Sequence, residues 1–224
     1  MQTQEPSLST KLAYARTLGK AVMFLHAAKM VHKSIRPDNI LISRRAGIDS
    51  ESDKVFLIGF EQFRKQLGPT ALVADAEWYK NIYRHPVRQG LRVQDFYIMQ
   101  HDIYSLGVCL LEIGLWKSFV LPEVEDTNTI KPNPMLEIDD HLVIKNKLQA
   151  ANNIKERLVE IARERLPRKT GNIFTEVVLA CLTCLDQGAD NTFDTDDGID
   201  DENGLVVGVA FIQRIFLKLE DIVV

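Results

Sequence analysis

The sequence predicts a mainly α-helical domain with a small β-hairpin near its start, and three observations lead to it. Leu12, Ala15, Leu18, Val22 and Leu25 recur at three- and four-residue steps, the spacing of one helix face. Two short runs rich in Ile, Leu, Val and Phe, residues 39–43 and 54–58, flank the polar loop RRAGIDSESD, which is a hairpin pattern. The stretch HDIYSLGVCLLEIGLW, residues 101–116, is apolar on nearly every side, as suits a helix buried all round.

The remaining elements follow in order. Ser9 and Thr10 are the expected caps of a first helix over residues 8–30. Pro37 breaks any helix before the hairpin. Residues 61–91 keep no steady period and contain Gly68-Pro69, Pro86 and Gly90, so a long, largely irregular segment is expected there. A central helix over 100–116 is followed by a linker with Pro122, Pro132 and Pro134. Next come a polar helix over 141–165, with Leu148, Ile154, Leu158 and Ile161 as its inner face, and an apolar helix over 174–185. An acidic loop, 186–203, leads to a last helix over 205–222. No internal repeat is present, and one domain over 1–224 fits this order.

Composition narrows the function. With 224 residues, 46% hydrophobic and 26% charged, the chain has the make-up of a soluble globular protein able to bury a sizeable core. A net charge of −4 and a pI near 5.8 give no support to nucleic-acid binding. The three cysteines, Cys109, Cys181 and Cys184, are too few for a disulfide framework and suit a reducing compartment. MQTQEPSLSTK lacks the apolar core of a signal peptide. Residues 205–224 are interrupted by Gln213, Arg214, Lys218, Glu220 and Asp221, so they do not form a membrane span. A cytoplasmic protein, with the nucleus as the alternative, is expected, without direct membrane insertion.

The informative stretch is VHKSIRPDNILI, residues 31–42. A kinase catalytic loop follows H-R-D-L-x-x-x-N, and here those positions read His32-Lys33-Ser34-Ile35-Arg36-Pro37-Asp38-Asn39. Leu57-Ile58-Gly59-Phe60-Glu61 stands where D-F-G is expected, and Tyr83-Arg84-His85-Pro86-Val87 where A-P-E is. Asp102-Ile103-Tyr104-Ser105-Leu106-Gly107 resembles the D-x-x-S-x-G that opens a kinase's central helix. In order and spacing, the chain resembles the C-terminal lobe of a protein kinase: a catalytic-loop-like segment at 31–43, an activation-segment-like stretch at 55–91 and the central helix at 100–116.

The resemblance also implies which chemistry is lost. The catalytic Asp position is Ser34, whose neutral hydroxyl does not act as a carboxylate base, and a positioned base is worth roughly 10²–10⁴ in rate. The metal-binding Asp position is Gly59, which leaves Asn39 alone as a poor magnesium anchor. The glutamate of A-P-E is Val87, and no arginine for it is evident in the loop after Leu185. No G-x-G-x-x-G and no V-A-I-K strand occur, so the upper half of an ATP cleft is expected to be absent from this chain. The expectation is a pseudokinase without ATP, magnesium or other cofactor, whose catalytic motif positions His32, Lys33, Ser34, Arg36 and Asn39 are not intact. Asn39, Gly59 and Phe60 remain as vestiges of nucleotide binding. His85, Pro86, Asp102, Ser105 and Gly107 remain as structural motif positions.

Several of these residues have a plainer reading. His32 is read as a core histidine, Phe60 as a packing residue, and Asn39 first as a turn residue bonding the backbone and second as a metal ligand. Cys181 and Cys184 lie on an apolar helix with no second ligand pair, so core packing is preferred to zinc. Asp194-Thr195-Asp196-Asp197-Gly198 puts its glycine one place early for an EF-hand, so a solvated, partly disordered loop is expected. Thr70 and Tyr79 are loop positions open to phosphorylation.

A narrower resemblance rests on LAYARTLGKAVMFLHAAKMVHKSIRPDNIL, YRHPVRQG and GVAFIQRIFLKLEDI. These phrases look like the kinase-like domains of fungal HeLo-domain heterokaryon-incompatibility proteins, similar in layout to the mixed-lineage-kinase-like necroptosis pseudokinases. That resemblance implies a regulatory module serving a protein partner or a covalently linked N-terminal effector domain, in incompatibility or cell-death signalling. Two alternatives stand beside it: an active or ATP-binding Ser/Thr kinase whose N-lobe lies outside this chain, and a truncated fragment without independent function.

Overall fold

The computed structural model describes residues 5–43, 53–62, 64–65, 77–89, 97–123, 129–138, 147–187, 191, 193 and 205–223. The described residues are mainly helical, with three two-stranded antiparallel sheets. α1 spans Leu8–Ala27 and buries Leu12, Ala15, Leu18 and Val22, the stripe read from the sequence. Its cap is Ser7, whose Oγ accepts from the Thr10 N–H at 3.2 Å, rather than Ser9 or Thr10. The helix also stops short of residue 30. Lys29 takes a left-handed φ of 56°, and Met30–Val31 turn away as strand β1.

The predicted hairpin is present. β2 (Ile40–Ser43) pairs with β3 (Lys54–Leu57) in the register Ile40↔Leu57, Leu41↔Phe56, Ile42↔Val55 and Ser43↔Lys54. Strand alternation turns Ile40, Ile42, Val55 and Leu57 inward and leaves Leu41 and Phe56 exposed. The segment expected to be irregular holds short elements where it is described: β4 (Arg64–Lys65), which pairs with β1, and α2 (Trp78–Asn81). Single-turn 3₁₀ helices lie at Phe60–Gln62 and Pro86–Arg88. These pieces are too short to show a period in sequence. Thr70 lies outside the described residues, while the Tyr79 hydroxyl donates to Glu77 at 2.7 Å.

α3 (Met99–Leu115) is the axis of the core, with Ile103, Leu106, Val108, Leu110 and Leu111 completely buried. The proline-bearing linker after it forms a further hairpin, β5 (Val120–Pro122) with β6 (Ile130–Pro132), in which prolines occupy strand ends. α4 (Lys147–Thr170) runs past the expected end at 165, through Pro167. Leu158 and Ile161 are buried on its inner face and Ile154 is half-buried. Leu148 is not part of that face: it is 39% exposed, because the buried stripe begins at Ala150 and Ala151 and no described element covers the first turn. α5 (Asn172–Leu182) crosses α3 closely. A Cβ on Gly107 would come within 2.6 Å of the Cys181 Cβ, and one on Gly114 within 2.7 Å of Leu166. Glycine at 107 thus sets the distance between two core helices. Cys181 and Cys184 are free thiols buried in that core, and burial pushes both pKa values up.

Most of the acidic loop, including residues 194–198, lies outside the described residues. At its start Lys155 pairs with Asp186, and Phe193 is buried against the core, so this part of the loop is anchored rather than solvated. The chain ends in α6 (Leu205–Phe211) and α7 (Leu217–Glu220), joined by a π-turn over Ile212–Phe216. Phe211, Ile215 and Leu219 face the core. Arg16 of α1 donates to the carbonyls of Leu219 (2.9 Å), Glu220 (3.3 Å) and Ile222, closing the end of α7 where backbone acceptors lack intrahelical partners.

Candidate functional site

The site is built where the loop after β1 meets the N-terminal end of α3. Asp102, in the first turn of α3, is completely buried, which would make an isolated carboxylate costly. It is instead surrounded by donors. Oδ2 accepts from the His32 N–H at 2.7 Å, and Oδ1 from the Lys33 N–H at 2.9 Å and the Tyr97 hydroxyl at 2.6 Å. The His26 imidazole on α1 sits at ion-pair distance, with Nε2 3.5 Å from Oδ2. Burial works to raise the Asp102 pKa, but His26, Tyr97 and the His32 amide outweigh it and hold the carboxyl below the usual carboxylate range. Lys33 adopts a left-handed φ of 70°, and the bond from its N–H to Asp102 holds that conformation.

His32 is a core histidine, as read from the sequence. Its ring is inaccessible, with Nε2–H donating to the Ile58 carbonyl at 3.0 Å and Nδ1 accepting from the Ser34 N–H at 3.3 Å. The bond accepted by Nδ1 requires the neutral imidazole, and burial lowers the ring's pKa, against Asp102 and the Ile58 carbonyl, which act to raise it. Phe60 packs edge-on to this ring, centroids 4.8 Å apart, while remaining 46% exposed. Arg36 leans on Asp38, with Nε 3.2 Å from Oδ2.

Ser34, Asn39 and Gly59 come together as one closed unit. The Asn39 amide donates both its protons to Ser34, at 2.7 Å to the carbonyl and 2.9 Å to the hydroxyl. The backbone bond across the turn expected for Asn39 is present. Gly59 has φ 82°, and a Cβ there would lie 2.4 Å from both Cγ and Oδ1 of Asn39. The Asn39 side chain thus occupies the space that a side chain at 59 would need. An aspartate at 59 is incompatible with this packing, and no other carboxylate is hydrogen-bonded to the unit among the described residues.

The second half of the site joins residues 83–88 to α3. His85 caps the 3₁₀ turn at Pro86, its Nδ1 accepting from the Val87 N–H at 3.5 Å, and packs edge-to-face on Tyr104 at 5.1 Å. His101 Nδ1 accepts from the Ile98 N–H at 3.0 Å, and Ser105 Oγ donates to the His101 carbonyl at 2.9 Å. Burial pushes His85 and His101 down to about 3, so both are neutral near pH 7. Val87, half-buried, carries no charge into this region.

Sequence reasoning missed Glu112, Tyr83, Tyr97 and His26. Glu112 is 8% exposed on α3, and its Oε1 accepts from Tyr83 Oη (2.8 Å), the Phe119 N–H (2.6 Å) and Ser118 Oγ (3.4 Å). Burial raises its pKa to about 7, against the three hydrogen bonds that favour the carboxylate. A glutamate inside the otherwise apolar LLEIGLW was the signal that could have found it, since a charge on an all-buried helix needs partners. No cluster of metal-ligating side chains occurs among the described residues, nor any helix long and apolar enough to cross a membrane. No family model matches the chain.

Proposed function

We propose that the chain is a degenerate protein-kinase C-terminal lobe that serves as a regulatory or protein-interaction module rather than a phosphotransferase. The observation that carries the reading is the Ser34–Asn39–Gly59 unit. The positions that resemble a kinase's base and metal ligands carry no carboxylate, and the nitrogen of the remaining amide is bonded to Ser34. Phosphoryl transfer needs metal ions, a lysine and a base placed around the phosphates, and this unit supplies none of them. The Asp102 ties to His32 and Lys33 agree with a loop kept for its shape.

An interaction role is supported by the outer face of the first hairpin and the turn after it. Leu41 and its cross-strand neighbour Phe56 are 51% and 45% exposed, and Ile58 and Phe60 in the turn that follows are 40% and 46% exposed. A protein partner or a covalently linked effector domain is the occupant this reading calls for. The sequence phrases shared with fungal HeLo-associated kinase-like domains favour incompatibility or cell-death signalling as the setting, and a cytoplasmic location goes with it.

Thermal unfolding with and without ATP and magnesium tests the reading. A nucleotide bound at 100 times its dissociation constant would add about 2.7 kcal/mol of stability, whereas no shift is expected here. Transfer of labelled phosphate to a generic substrate, abolished by Asn39→Ala, would overturn the proposal in favour of an active kinase.

A further inference from the structure

Behind the first hairpin lies a cavity of about 310 Å³, at the lower end of the roughly 300–1,000 Å³ typical of small-molecule sites. Ile40, Ile42 and Val55 of the hairpin and Ile113 and Trp116 at the end of α3 give it apolar walls. Glu112 is also part of the lining. All three donors to Glu112 converge on Oε1, so Oε2 receives none of them. No lysine or arginine forms an ion pair with Glu112 among the described residues, and a buried carboxylate without a cation is expensive.

We infer that this cavity is a binding site for a small amphiphilic monocation, an ammonium group on a compact apolar body, with the ammonium paired to Glu112 and the body packed on Ile40, Ile42, Val55 and Trp116. The shape and the charge argue together. The mostly apolar walls disfavour a strongly hydrated ligand. Although Lys117 also lines the cavity, it forms no ion pair with Glu112 among the described residues, so the carboxylate is left to select a cation over an anion or a neutral alcohol. The inference is independent of the pseudokinase reading, since it needs only the cavity and the carboxylate.

Binding is expected to depend on pH through Glu112, whose pKa lies at about 7. The other titratable groups around it are Tyr14 from α1, Asp38 from the turn before β2, Tyr83 from the segment after α2, Cys109 on α3, and Lys117 just beyond it. Burial raises the pKa of Tyr83 and Cys109, which keeps both neutral near pH 7, and Asp38 acts to raise that of Glu112. A ligand ammonium with a pKa near lysine's, about 10.4, stays charged across this range.

The test uses the full chain labelled with ¹⁵N, titrated with 2-phenylethylammonium and, separately, with the neutral 2-phenylethanol. The chain's two tryptophan indoles report position: Trp116 lines the cavity and Trp78 does not. A saturable shift of Trp116 with Trp78 unmoved is expected. At about pH 8 the ammonium should bind at least about tenfold tighter than the alcohol, and at about pH 6 that advantage should fall by roughly tenfold, because one proton must leave Glu112. Taking the ratio of the two ligands cancels any reshaping of the cavity by other groups. Glu112→Gln should reduce ammonium binding to the level of the alcohol. If that variant does not fold, Val55→Phe, which fills the cavity from the hairpin side, should abolish both ligands' effects on Trp116. Equal affinity for the two ligands, equal movement of both indoles, or binding unaffected by Val55→Phe would overturn the inference.

Discussion

Asp102 Oδ2 accepts the backbone N–H of His32 at 2.7 Å, and this bond joins the central helix to a loop 70 residues earlier in the chain. With the companion bond from Lys33, a single buried carboxylate holds two consecutive amides and the left-handed backbone between them. Asp102→Asn replaces one acceptor oxygen with a donor aimed at existing donors. A loss of about 3–5 kcal/mol is expected in urea denaturation, the usual result of breaking a buried charged network. A variant within about 0.5 kcal/mol of wild type, the range of a neutral surface change, would show that the loop is held by other means.

The Gly59–Asn39 packing makes a paired prediction. Gly59→Ala meets both the positive φ and the Asn39 side chain, and should cost about 1–3 kcal/mol. Asn39→Ala in the same chain removes the obstructing amide, so the double variant should lose less than the sum of the singles. The remaining cost is that of a left-handed alanine, about 1–2 kcal/mol. A double-mutant cycle measures the coupling, and strict additivity would show that the two side chains do not compete for one space.

The buried titrating groups give stability a defined pH dependence. His85 and His101 have folded values near 3, against about 6.5 for a free histidine, so as pH falls the unfolded chain takes up their protons first. Stability contributed by these two is full above about pH 6.5 and is lost progressively toward pH 3. Glu112 runs the other way. Its folded value of about 7 lies above the ordinary value of about 4.5, so its contribution is full below pH 4.5 and fades as pH rises through 7. Between about pH 5 and 6 the histidines dominate and stability rises with pH. Glu112→Gln removes the opposing proton and should steepen that rise by about 1.4 kcal/mol per pH unit in denaturation curves. An unchanged slope would mean that Glu112 does not take up its proton in this range.

Arg16 binds the last carbonyls of α7 from across the core. Arg16→Ala removes charged hydrogen bonds worth about 1.5–3 kcal/mol each at most, and less where solvent reaches them. Hydrogen exchange should quicken selectively over residues 217–222, with α3 unchanged. Uniform acceleration would place the effect on global stability instead.

Much of the helical layout was legible because it follows from period. α1 and the Leu158–Ile161 face of α4 carry apolar residues at helical spacing, α3 is apolar on nearly every side over a helix's length, and the β2–β3 hairpin carries apolar residues in two short runs around a polar loop. The β1–β4 and β5–β6 pairs were not legible, because strands of two or three residues show no period and depend on a distant partner. The cap was misplaced by two or three residues because Ser7, Ser9 and Thr10 carry the same hydroxyl chemistry, and only backbone geometry distinguishes them.

At the site, the sequence by itself determined which groups are present: a serine and a glycine at 34 and 59, a histidine and an asparagine near them, and an aspartate opening the buried helix. It had no means of showing what those groups touch. Only the tertiary structure decided that the Asn39 amide closes onto Ser34 and fills the space above Gly59, and that Asp102 is partnered by amides 69 and 70 residues away. It likewise decided that Glu112 faces a cavity with one oxygen outside its hydrogen bonds. The reason is physical: residue type sets what a group can donate, accept or coordinate, whereas burial and the positions of distant donors set its charge state and its partner.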